Sequence, residues 1–250
     1  MSFLATLKFL TAIPIRGKEE LESSLGYFPL VGLILGLILA GLCWLFNFLP
    51  VALGDALVIV ALIVLTGALH LDGFLDTCDG LAHHGTIEER WEVMSDSRAG
   101  GIGVVGVFSL LLLKFISLTA LPQSVKIIAL ILMPVMGRWG MSYAIFAYPY
   151  AKSHGLGKSF KERSSTRGFA AATGITLIIA LVLTYMWGTT TMLGTWAFSV
   201  GIIIMLGTWV IVVGMASFLK KRFGGLTGDN YGAICEVTET CTLIMFSIIM

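Results

Sequence analysis

Leu69 to Gly103 reads LHLDGFLDTCDGLAHHGTIEERWEVMSDSRAGGIG and sets four aspartates, Asp72, Asp76, Asp79 and Asp96, beside and between apolar runs at 54–72 and 102–121. Carboxylates so close to a low-dielectric phase are costly, and no neighbouring run of cations neutralises them all. On a continuous helix turning about 100° per residue, positions 72, 76 and 79 project at roughly 0°, 40° and −20°, so their side chains share one face. Repulsion at that spacing is relieved by protonation or by a shared cation, and we favour the cation. Carboxylate oxygens are hard ligands for Mg²⁺, Mn²⁺ or Ca²⁺. An EF-hand is excluded, because its twelfth position counted from Asp72 holds His83 instead of glutamate. A magnesium site made by Asp72, Asp76, Asp79 and Asp96, completed by substrate phosphates, fits the residue types. Helix capping is the plainer alternative, and it suits one such acid better than three on one face.

The surroundings define the solvent. The chain is 57% hydrophobic and 12% charged with mean hydropathy +0.93, which places it among polytopic membrane proteins. Its 250 residues suit one integral domain, 1–250, and a net charge of +1 gives no sign of a nucleic-acid partner. Cys43, Cys78, Cys235 and Cys241 lack paired spacing and read as reduced packing residues. The N-terminal SFLATLKFLTAIPI lacks a basic start and a small-residue cleavage site, so it reads as a retained segment.

Apolar runs long enough to cross a membrane occur near 26–48, 54–72, 102–121, 126–148, 169–187, 193–218 and 233–250. No alternating barrel period is present, so an all-α bundle of about seven transmembrane helices is predicted, with 1–25 as an interfacial N-terminal segment. Lys and Arg gather in 1–25, 73–101, 149–168 and 219–232, whereas the short intervening loops carry only Lys126. The positive-inside rule then places the N-terminus, the long loops and the aspartates at the cytoplasmic face of the cell (inner) membrane, among its lipids.

Other polar groups sit where apolar ones are usual. Lys114 and Arg138 fall inside apolar runs and must snorkel, face an acid or face a cavity. In a cavity they would bind phosphate oxygens. Arg98, with Ser97 beside Asp96 and before a glycine-rich helix start, is a stronger phosphate-binding candidate. A second polar stretch, GGLTGDNYGAICEVTE at 224–239, supplies Asp229, Asn230, Glu236 and Glu239, the two glutamates sharing a helical face. His70, His83 and His84 read better as loop or cap residues than as ligands of a hard-oxygen site.

These stretches closely resemble the cobalamin synthase family, adenosylcobinamide-GDP ribazoletransferases, over nearly the whole chain. The resemblance rests on FLTAIPI (9–15), YFPLVGLILG (27–36), LTGALHLDGFLDTCDGL (65–81), MSDSRAGGIG (94–103), GRW (137–139) and GGLTGDNYGA with Glu236 (224–236). Cys78 stands where the family often has alanine, and AHH replaces a glycine-rich stretch. The resemblance implies Mg²⁺-dependent attack by an alcohol of α-ribazole, or of its 5′-phosphate, on the cobinamide-linked phosphorus of adenosylcobinamide-GDP. GMP leaves and a phosphodiester forms, the last step of nucleotide-loop assembly. An oligomer is compatible with this reading. The DxxDGxxAR pattern of CDP-alcohol phosphotransferases is not met, since Leu81, Ala82, His83 and His84 follow Gly80. A cation transporter is the rival from another class, but it requires acids near the bilayer midplane, whereas these gather at one end of the helices.

Overall fold

The computed structural model describes residues 3–14, 25–153, 155–190 and 196–249. In chain order its helices are α1 (Phe3–Leu10), α2 (Phe28–Leu45), α3 (Val51–Thr66), α4 (Leu69–Ala82), α5 (Ile87–Met94), α6 (Gly101–Ala120), α7 (Gln123–Ala147), α8 (Leu156–Glu162), α9 (Thr166–Thr190), α10 (Trp196–Phe223) and α11 (Gly228–Ile249). Among the described residues no strand accompanies them beyond one isolated bridge, so the all-α expectation holds. Six helical stretches, containing α2, α6, α7, α9, α10 and α11, are long and apolar enough to cross a membrane. A seventh span exists only if α3 and α4 count as one, and those two meet at 90°.

That bend corrects the straight span expected over 54–72. Gly67 and Ala68 both adopt the left-handed conformation, with φ of 60° and 58°. Glycine tolerates it freely, while for alanine it costs about 1 kcal/mol, which the surrounding packing must offset. The chain therefore turns just before the aspartates. Ala12 helps to hold the corner, donating its amide to the Leu65 carbonyl at 2.8 Å.

The core is built around α7, whose residues 129–142 are all buried. Gly32 and Gly36 let α2 lie directly on the α7 backbone at Pro134–Val135 and Ile131, where a Cβ would collide with main-chain atoms. On the far side Gly137 admits Cys235 and Glu239 of α11, and Gly140 admits Thr238. Outward-facing side chains are apolar, among them Val105, Phe108 and Ile116 of α6 and Ile203, Leu206 and Val210 of α10. Such a surface suits a lipid environment.

At the end of the bundle away from the aspartates, Lys126 is not a loop residue. It lies in the first turn of α7, 2% exposed, with Nζ 2.9 and 2.7 Å from the two oxygens of Asp55 on α3. A lone cation there would be strongly disfavoured, and Asp55 compensates it.

Candidate active site

The two polar stretches of the sequence meet because α4 and α11 approach backbone to backbone. A Cβ on Gly73 would fall 2.9 Å from the Asp229 Cα, and one on Gly232 would fall 3.1 Å from the His70 Cα. Only glycine allows this contact, and it sets Asp72, Asp76 and Asp229 side by side. The start of α11 is fixed locally. Asn230 Oδ1 accepts the Thr227 amide at 3.0 Å, Thr227 Oγ1 accepts the Asn230 amide at 3.3 Å, and Asn230 Nδ2 donates to Thr77 of α4 at 3.1 Å. Asn230 is thus buried structural cement between the helices.

A third segment joins them. Tyr150 forms a parallel bridge with Leu226, with Ala151 donating to the Leu226 carbonyl and Leu226 to the Pro149 carbonyl, each at 2.9 Å. Gly225 is required at this contact, since a Cβ would lie 2.8 Å from the Ala151 Cα. The bridge delivers Tyr150 and Lys152 to the acids. Burial and the charge of Asp229 push the Tyr150 phenol above its ordinary pKa.

The aspartates play different parts. Asp72 is exposed and Asp76 half-buried, and neither carboxylate makes a hydrogen bond among the described residues. Asp76 stands in the repulsive field of Asp72, Asp229 and Asp79, opposed by Lys152. Asp79 is instead engaged by the start of α6: its oxygens accept the Gly100 amide at 2.8 Å and the Gly103 amide at 2.7 Å. The helix N-terminus that the sequence offered to a phosphate thus already holds an anion belonging to the protein. Asp96 pairs with Arg98 through a fork, Nη2 lying 2.6 Å and Nε 3.1 Å from Oδ2. That contact holds the Asp96 carboxyl down at about 2. Ser97, between them, is exposed.

Two hollows flank this arrangement. One, of about 340 Å³, is lined by Asp72, Asp229, Lys152, Tyr150, His70 and Tyr231 together with apolar side chains from α1, α2, α7 and α8. The other, of about 480 Å³, is more open and is lined by Asp79, Asp96, Arg98, His83 and the start of α6. Among the described residues no three acidic, histidine or cysteine side chains are already gathered around one point as a closed metal site. The fit for a metal is of another kind. Asp72 and Asp76 are hard oxygen donors with uncompensated charge, and magnesium is commonly held by one or two carboxylates plus substrate phosphates.

Beneath the acids lies a buried ionic network. Lys114 Nζ is 2.8 Å from Glu236 and 2.8 Å from Glu239, and Arg138 Nη1 also binds Glu239. Lys114 is 1% exposed and Arg138 0%, and neither lines either hollow. Of the alternatives the sequence left open, both cations meet an acid. Their predicted contact with substrate phosphate is not made available in this arrangement, because both are buried and already paired with the glutamates on the shared face of α11. Sequence reading gave Lys152 weight only as an orientation charge, and it passed over Tyr150. The one local signal was the YPY tripeptide at 148–150, too short to carry a function by itself.

Residues 2–247 match the family described as Cobalamin-5-phosphate synthase. Three similar proteins bear the name adenosylcobinamide-GDP ribazoletransferase. That of Desulforamulus reducens is 38% identical, covering 98% of this chain and 95% of its own. Those of Fusobacterium nucleatum and Pseudomonas savastanoi pv. phaseolicola are 32% and 34% identical, covering 99% and 100% of this chain and 97% and 100% of their own. No solved structure matches. With its length matched almost end to end, the chain belongs to the cobalamin-5-phosphate synthase family and is a transferase enzyme.

Proposed function

We propose that this enzyme transfers the phospho-adenosylcobinamide group of adenosylcobinamide-GDP to α-ribazole or α-ribazole 5′-phosphate, at the cytoplasmic face of the cell membrane. A ribose hydroxyl forms the new bond to the cobinamide-linked phosphorus, the bond to GMP breaks, and a phosphodiester remains. The observation that carries this reading is the junction of α4 and α11. Two stretches that both resemble the family, 65–81 and 224–236, with residues 82–223 between them, build one carboxylate-rich surface over a hollow of ligand size.

Asp72 and Asp76 are the residues to hold Mg²⁺, since their charges are uncompensated by hydrogen bonds and Asp229 adds to the field. Bound there, the ion supplies neutralisation of the diphosphate and of the charge developing on GMP. Lys152, lining the same hollow, attracts phosphate oxygens. Arg98 uses Nε and Nη2 for Asp96, which leaves Nη1 to reach a non-bridging oxygen. A carboxylate of the group accepts the proton of the attacking hydroxyl. Asp79 keeps the start of α6 in place beside them.

The test is GMP release by purified enzyme in detergent. It should require adenosylcobinamide-GDP, the ribazole acceptor and Mg²⁺ together, and it should stop on chelation. Turnover of a CDP-linked lipid with adenosylcobinamide-GDP inert would overturn the substrate assignment.

A further inference from the structure

The hollow of about 340 Å³ has two chemistries. Asp72, Asp229 and Lys152 make one part of its lining, and Phe9, Phe28, Met141, Ile145 and Phe160 make another. Two polar groups in the lining are buried without a partner. His70 is 1% exposed with neither ring nitrogen hydrogen-bonded, and Tyr231 is 3% exposed with its hydroxyl equally unsatisfied. Unpaired buried donors are destabilising, and a ligand that engages them relieves the penalty. Tyr150 and Tyr231 also stand with ring centroids 6.4 Å apart, adding aromatic surface to the wall.

The volume lies at the small end for ligand cavities, about 300–1,000 Å³, which admits one nucleoside and excludes a corrinoid ring. Two bases take part in the proposed reaction. Guanine carries donors or acceptors on nearly every edge, and most would be left unpaired against phenylalanine, methionine and isoleucine. The base of α-ribazole is a dimethylated benzimidazole with apolar edges and a single free ring nitrogen. We propose that this hollow is the acceptor subsite: it takes the fused aromatic base, with the Tyr231 hydroxyl and the His70 imidazole supplying hydrogen bonds to the free ring nitrogen and to the ribose. The ribose then lies toward Asp72 and Asp229, where its hydroxyl must react. The assignment rests on the transferase reading above and specifies which substrate occupies which part of the site.

The test compares equilibrium binding of α-ribazole and of its indole counterpart, in which a C–H replaces the free ring nitrogen. Detergent-purified full-length enzyme is used without donor, followed by intrinsic fluorescence. The wild type should bind α-ribazole about tenfold more tightly than the indole riboside. The variant that removes the donor to the ring nitrogen, Tyr231→Phe or His70→Leu, should bind the two ribosides equally, a result that a merely structural role for that residue would not produce. Equal binding by the wild type, or discrimination kept by both variants, would overturn the subsite. GMP release is measured in parallel. Discrimination without any release from adenosylcobinamide-GDP would sink the reaction while leaving a benzimidazole site, whereas release without discrimination would sink the subsite alone. His70→Leu introduces an apolar group near charged neighbours, so Tyr231→Phe, which removes one oxygen, is the primary variant.

Discussion

Asp79 accepts the amide of Gly103 at 2.7 Å across 24 residues of sequence, so an acid of the cluster serves as the cap of α6. The same carboxylate takes the Gly100 amide. Asp79→Ala would leave both donors without this acceptor and should lower stability by about 1–3 kcal/mol. Thermal unfolding of the purified variant in detergent measures it. An unchanged midpoint would show that α6 does not depend on this cap.

Asp72 and Asp76 should behave in the opposite way. Neither carboxylate has a hydrogen bond to lose among the described residues, and Asp76 is repelled by its neighbours. Asp72→Asn and Asp76→Asn should each cut Mg²⁺-dependent GMP release at least a hundredfold, while the unfolding midpoint stays level or rises. A rate close to wild type in both variants would remove these residues from the site.

These contrasts mark what the sequence could and could not disclose. The common face of 72, 76 and 79 was legible because helical periodicity is local and α4 runs unbroken through all three. The pairing of Glu236 and Glu239 on one face was legible for the same reason. The cap on Asp79 was not, because its partners are backbone amides, which no residue pattern records. The bend at Gly67–Ala68 was hidden inside an apolar run whose hydropathy does not change at the corner. Lys126 looked like a loop charge because its partner, Asp55, lies 71 residues away.

The network of Lys114, Arg138, Glu236 and Glu239 should be structural. Removing one partner of a buried ionic group typically costs about 3–5 kcal/mol, because the remaining charge is stranded. Lys114→Met should therefore abolish or greatly reduce folded protein, as read by size-exclusion chromatography and thermal unfolding. Combining it with Glu236→Gln removes one stranded acid, and Glu239 keeps Arg138. The double variant should recover part of the lost stability. Failure to recover would mean that Lys114 acts through more than this pairing.

The proposed orientation can be read with single cysteines in a cysteine-free variant. Ser165 and Gln123 are both exposed, and they stand at opposite ends of the bundle in the scheme that puts the long basic loops in the cytoplasm. An impermeant thiol reagent should label Ser165→Cys only from the cytoplasmic side and Gln123→Cys only from outside. The reverse pattern would put the aspartates on the external face, away from cytoplasmic Mg²⁺ and nucleotide.

Arg98 separates phosphate binding from architecture. Its side chain is 88% exposed and its ion-pair partner is Asp96, two residues away, so nothing in the packing depends on it. Arg98→Ala should leave the unfolding midpoint unchanged and lower the rate of GMP release more than tenfold. Arg98→Lys keeps the charge but loses the planar fork, and should fall between tenfold and a hundredfold below wild type, equivalent to about 1.4–2.8 kcal/mol in the barrier. If the arginine acts on the donor, the loss should appear at saturating α-ribazole and should not be rescued by more acceptor. A loss rescued by acceptor would move Arg98 to the acceptor side of the reaction, and a rate equal to wild type in Arg98→Ala would reduce the Asp96–Arg98 fork to a loop contact.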